Sequence, residues 1–164
     1  MWITVLVITA VALVLVILGV LLYGGSLWRS DTKKLHTSIQ AAQLPLTPSS
    51  YDPRLLDGLP APVQRYFHTV LQEGQPLVTA VTIEHTGSFN LSQTGEQWKP
   101  FKSSQRVVTH RPGFVWDARI HMAPGMTVHV HDAYVAREGV LRGKLLGLIK
   151  VMEQPSTPEL AQGE

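Results

Sequence analysis

Residues 113–135 read GFVWDARIHMAPGMTVHVHDAYV, and this stretch decides the fold. Apolar and polar residues alternate on both sides of Ala123-Pro124-Gly125, as in two half-buried strands joined by a tight turn. Phe114, Trp116, Ala118, Ile120 and Met122 share one face, and Asp117, Arg119 and His121 share the other. With Ala123–Gly125 as the loop, Met122 pairs with Met126. Counting outward then sets Asp117 opposite His131, Arg119 opposite His129 and His121 opposite Thr127.

The same period of two extends outward. LVTAVTIEHTGSFNL (77–91), FKSSQRVVTH (101–110) and GVLRGKLLGLIKV (139–151) are further strands, punctuated by Arg111-Pro112-Gly113 and Arg137-Glu138-Gly139. Their short connections allow only antiparallel pairing, because parallel neighbours need long crossovers. Upstream, APVQRYFHTVLQE (61–73) switches to helical spacing: Val63, Tyr66, Phe67, Val70 and Leu71 form one apolar stripe. Pro60 and Pro62 suit its first turn and Gly74 its C-terminal cap. The expectation is an α+β domain, with this short amphipathic helix packed on a curved antiparallel meander.

Further upstream, residues 44–60 carry Pro45, Pro48, Pro53 and Pro60 and read as a linker. Residues 27–43 show weak helical periodicity through Trp28, Leu35, Ile39 and Ala42, so the anchor helix is expected to continue or restart here as a juxtamembrane stalk, with its Lys and Arg on a solvated face near the headgroups. Residues 3–22, ITVLVITAVALVLVILGVLL, contain no charge. A helix of that length rises about 30 Å, the thickness of the hydrocarbon core of a bilayer. Trp2, Tyr23 and Trp28 fit the aromatic belts at headgroup level.

A signal peptide is the alternative, with Gly24-Gly25-Ser26 as its small-residue cleavage site. However, no Lys or Arg precedes the run, and it exceeds the usual apolar region of about 7–15 residues. The expected organisation is an anchor over 1–28, a stalk and Pro-rich linker over 29–58, and a β-rich domain over 59–164. Arg29, Lys33 and Lys34 after the span argue for a cytoplasmic domain by charge count.

Composition excludes several classes. The 164 residues carry 14 Lys+Arg against 12 Asp+Glu, a net charge of +2, without a basic run of the kind that binds nucleic acid. With no cysteine there is no disulfide, thiolate metal site or cysteine nucleophile. No G-x-S-x-G elbow and no Gly-rich phosphate loop occurs.

Two candidate sites remain. His129, His131 and Asp117 fall on one face of the hairpin, where imidazoles two apart on a strand beside a carboxylate can hold zinc in a metal-assisted hydrolase. Arg119 in their midst repels a cation, and an ordinary His–Asp cross-strand pair competes with the metal. The other candidate is an apolar concave surface lined by Phe67, Phe114 and Trp116, able to hold a lipid or another apolar ligand without a cofactor. A purely structural role in the envelope is the third possibility.

LPAPVQRYF (59–67), WKPFKSSQ (98–105), PGFVWDARIHMAPGMTVHVHDAYV (112–135) and the run from LLGL (145–148) to TPELAQGE (157–164) resemble a bacterial family of unknown function, DUF6544, also called DUF6920. The resemblance spans roughly residues 55–164. It implies an N-terminal hydrophobic segment, a helix followed by a β-meander, and chains that run on past residue 164. It implies no activity. Where this chain has His121, His129 and His131, the sequences it resembles often carry arginine, a departure that argues against a metal role for these histidines. Ser156 and Glu159 are spaced as a capping box with little chain after them, so the sequence reads as a truncated member. Helix plus meander is similar to the half-barrels of lipoprotein carriers, an analogy that favours an extracytoplasmic domain, against the charge count.

Overall fold

The computed structural model describes residues 1–92, 94–154 and 156. The helix start expected at Ser156–Glu159 runs into residues 157–164, which lie outside the described residues. One helix, α1 (Trp2–Ala42), is followed by a 3-10 turn (Pro53–Leu56), the short helix α2 (Ala61–Val70) and six strands. The strands are β1 (Ala80–Asn90), β2 (Trp98–Val108), β3 (Gly113–Ala123), β4 (Met126–Val135), β5 (Glu138–Leu145) and β6 (Ile149–Gln154). They form one sheet in sequence order, every neighbour antiparallel. The chain is therefore an α+β protein built on a meander.

The central hairpin pairs Asp117 with His131, Arg119 with His129 and His121 with Thr127. Its loop is nonetheless shorter than the spacing predicts. Ala123 pairs with Met126 around Pro124-Gly125, and a register shift between His121 and Ala123 absorbs the extra residue. A bulge at Met122 thus compensates for the tighter turn and leaves the outer pairs aligned.

The helix laid on the sheet is the C-terminal half of α1, not α2. Trp28 and Ile39, each 1% exposed, are inserted against β3 and β4. Ile39 joins Val108, Val115, Ala133 and Val135 in one core cluster, flanked by Leu35. The anchor helix continues, as α1 runs without a break across residue 28, and its residues 29–42 lay one face on the sheet while the other stays exposed. Trp28 is likewise core and not part of an aromatic belt. Because the outer face is taken by α1, α2 packs beside the 3-10 turn with no buried residue, and Tyr66 and Val70 stay exposed.

The Pro-rich stretch before α2 is pinned rather than loose. Tyr51 and Leu56 are buried, the Tyr51 amide donates to the Gln75 carbonyl, and the Gly74 amide donates to the Tyr51 carbonyl.

Along its length α1 keeps pace with β4. Gly24 lies on the turn after β5, Thr32 reaches His131, and Ile39 meets Ala133 and Val135. From Gly24 to Thr32 the helix rises about 12 Å, and from Thr127 to His131 a strand advances about 13 Å. Helix and strands therefore run nearly side by side, and the apolar residues 3–22 project beyond one end of the sheet. That end carries the β1–β2, β3–β4 and β5–β6 connections.

Candidate functional site

The two faces of the sheet differ chemically because alternate residues of each strand point opposite ways. On the α1 face, Trp28 stacks on His131 with ring centroids 3.8 Å apart and planes 16° from parallel. Its indole Nε1 donates to Asp117 Oδ1 at 2.8 Å. His131 is fully buried, and both ring nitrogens are engaged. Arg142 Nε donates to Nδ1 at 3.2 Å, and Nε2 lies 2.7 Å from Thr32 Oγ1. Since Nδ1 accepts, Nε2 carries the proton and donates to the threonine.

Burial, with the nearby Arg142 cation, pushes the His131 pKa down to about 3. The ring is accordingly neutral, and its approach of 3.8 Å to Asp117 Oδ1 is not an ion pair at neutral pH. His129 is also lowered, by burial and then by Arg119. Asp31 joins the seam through Lys144 at 3.3 Å. Burial pushes its carboxyl up, but Lys34, Lys144 and Arg142 together hold it below the usual carboxylate value.

Asp117, His129 and His131 are thus gathered on one face, yet they form a packing seam. His131 has no free lone pair to offer a metal, and its surroundings admit no substrate. Among the described residues, no group of three His, Asp or Glu side chains converges as metal ligands. The alternation that aligned these residues could not reveal that α1 covers them.

The opposite face is a groove of about 910 Å³. That lies within the roughly 300–1,000 Å³ typical of small-molecule sites. Phe114 and Trp116 line it, together with Ile120 and Val130 from the floor and Leu141 and Leu145 from β5. Phe89 and Leu91 close one side, and Val151 and Met152 of β6 the other. Both β6 residues reach the lining because the β5–β6 register shifts between Gly143 and Lys144. Gln105 and Asp132 are the polar side chains of the lining. Phe67 is not part of it. That ring lies on α2 against Tyr66, at a centroid distance of 5.2 Å.

A long apolar helix continuous with an antiparallel sheet that bears an apolar groove defines an α+β protein with a hydrophobic candidate site. The chain belongs to the family of unknown function DUF6920, whose pattern matches residues 57–164. The matched family carries that number and not DUF6544. No curated protein and no solved structure matches the chain. Residues 2–42 form a helix long and apolar enough to cross a membrane, near the N-terminus, where a signal sequence has the same properties.

Proposed function

We propose that the chain is a membrane-anchored, non-enzymatic module that holds a lipid or another apolar ligand at the cell envelope. The observation that carries this is the groove: fifteen residues from the six strands and Leu91 just after β1 line it, and only Gln105 and Asp132 among them bring polar side chains. Such a surface gains about 25 cal/mol for each Å² of apolar area that a ligand covers, and it has few polar groups to reward a hydrophilic one.

Anchoring by residues 3–22 rather than removal of a signal peptide is supported by Gly24. That glycine, part of the would-be cleavage site, is buried against Leu146 and Leu148 in the turn after β5. A processing enzyme would have to pull the helix off the sheet to reach it. The extracytoplasmic side is the orientation we assign, and a phosphatase fused after residue 164 tests it.

Native mass spectrometry of the full chain tests ligand binding. Lipids around the span and lipid in the groove are separated by Val151→Glu, which sets a charge on an exposed groove wall. The reading predicts stoichiometric lipid on the parent chain and its loss from the variant. Equal lipid on both overturns it in favour of a structural role.

A further inference from the structure

Resting on that reading, we infer that the groove opens onto the bilayer that holds the anchor, with the β1–β2, β3–β4 and β5–β6 tips seated in its headgroup layer, so that the ligand is a membrane lipid entering from that leaflet. Geometry carries this. The continuous apolar run ends at Leu22, the first charged side chain is Arg29, and Gly24 touches the β5–β6 turn. Two residues of helix rise about 3 Å, whereas the headgroup layer beyond the hydrocarbon is about 5–8 Å deep. Since α1 is continuous from Trp2 to Ala42 and runs beside β4, the tips stand at the depth where the span ends.

The side chains there suit that depth. Trp98 (56% exposed), Met126 (45%) and Ile149 (61%) project at this end of the sheet, beside Leu91. Trp98 pairs with Asn90 at the foot of the β1–β2 connection and supplies at the sheet tip the interfacial aromatic that Trp28, buried in the core, does not. The same connection carries Glu96, a residue that the headgroup layer accepts and the hydrocarbon does not. At the far end the turns carry His110-Arg111 and Arg137-Glu138 instead.

The groove follows this polarity. Leu91, Met122, Met126 and Leu145 bring its apolar lining to the membrane-side tips, and Gln105 and Asp132 lie further away. A lipid rising out of the leaflet would therefore meet continuous apolar surface without crossing water.

The chain has no cysteine, so single-cysteine labels carry no background. In phosphatidylcholine–phosphatidylglycerol vesicles, full chains bearing Met126→Cys or Ile149→Cys would carry an environment-sensitive fluorophore. Arg111→Cys and Glu138→Cys report the far end, and Leu13→Cys reports the span. Expected are blue-shifted emission and quenching by headgroup-level lipid quenchers at 126 and 149, with quenching only by aqueous iodide at 111 and 138. Labels at 126 and 149 that behave like 138, while the label at 13 is deep, overturn the inference and leave groove binding standing. A label at 13 exposed to iodide overturns both this inference and the anchor.

Discussion

Gly24 of α1 and Gly147 of the β5–β6 turn meet backbone to backbone. A Cβ on Gly24 would overlap the Leu146 carbonyl oxygen and lie 2.8 Å from Leu148 Cγ. One on Gly147, whose φ is +74°, would overlap the Gly24 carbonyl oxygen. The pair lets the apolar helix touch the sheet at the point where it leaves the domain, and so fixes the position of the groove relative to the apolar residues 3–22.

Replacing Gly24 by Val forces the turn off the helix. Overpacking of this kind costs about 1–3 kcal/mol. Gly25 has no atom within 4 Å of its would-be Cβ, so Gly25→Ala is expected to be neutral or stabilising by up to about 1 kcal/mol. Urea unfolding of the two variants in the same detergent checks the contrast.

Trp28→Ala removes the largest fully buried side chain and leaves Asp117 Oδ1 without its indole donor. The expected loss is about 3–5 kcal/mol. Trp28→Phe keeps most of the volume and loses the hydrogen bond, for about 1–3 kcal/mol. Thermal unfolding followed by near-UV circular dichroism separates the two.

Acid weakens the seam. The pKa of His131 is about 3 when folded, against 6.5 in the unfolded chain, so between those values the unfolded state binds the extra proton. Stability is therefore complete above about pH 6.5 and falls as pH drops toward 3, with a slope approaching about 1.4 kcal/mol per pH unit. His129, also lowered, acts in the same direction. His131→Gln is expected to be less stable at pH 7.5 and to show a flatter decline between pH 6.5 and 4.5, measured by urea midpoints.

Much of this arrangement was legible in the alternation of residues 113–135. Two-residue periodicity names the faces whatever the loop does, and the bulge at Met122 kept the outer pairs where counting put them. Phe114 and Trp116 shared a face by the same logic. The partner of the other face was not legible. Residues 27–43 have a sparse apolar stripe and α2 a dense one, so pattern strength favoured α2. What decides the matter is tethering, because α1 already runs along the sheet and fills the face with Trp28 and Ile39. Phe67 belongs to the groove only if α2 packs on the sheet, and with α2 beside the 3-10 turn its ring lies outside the lining. Gly24-Gly25-Ser26 suits a processing protease and a close backbone approach equally well, because both need small residues.

Groove and α2 are separable by substitution. Phe89→Glu puts a carboxylate on an exposed groove wall, whereas Phe67→Ala changes a ring outside the lining. Bound lipid, read by mass spectrometry, is expected to fall in the first and to stay at the parent level in the second.

The central claim, an apolar ligand held in the groove, is tested most directly by photo-crosslinking. The full chain in vesicles is irradiated with a photoreactive phospholipid, and the labelled peptides are mapped. Adducts on the β3–β4 and β5–β6 peptides that line the groove, in addition to those on residues 3–22, are the predicted result. Adducts confined to residues 3–22 would contradict it.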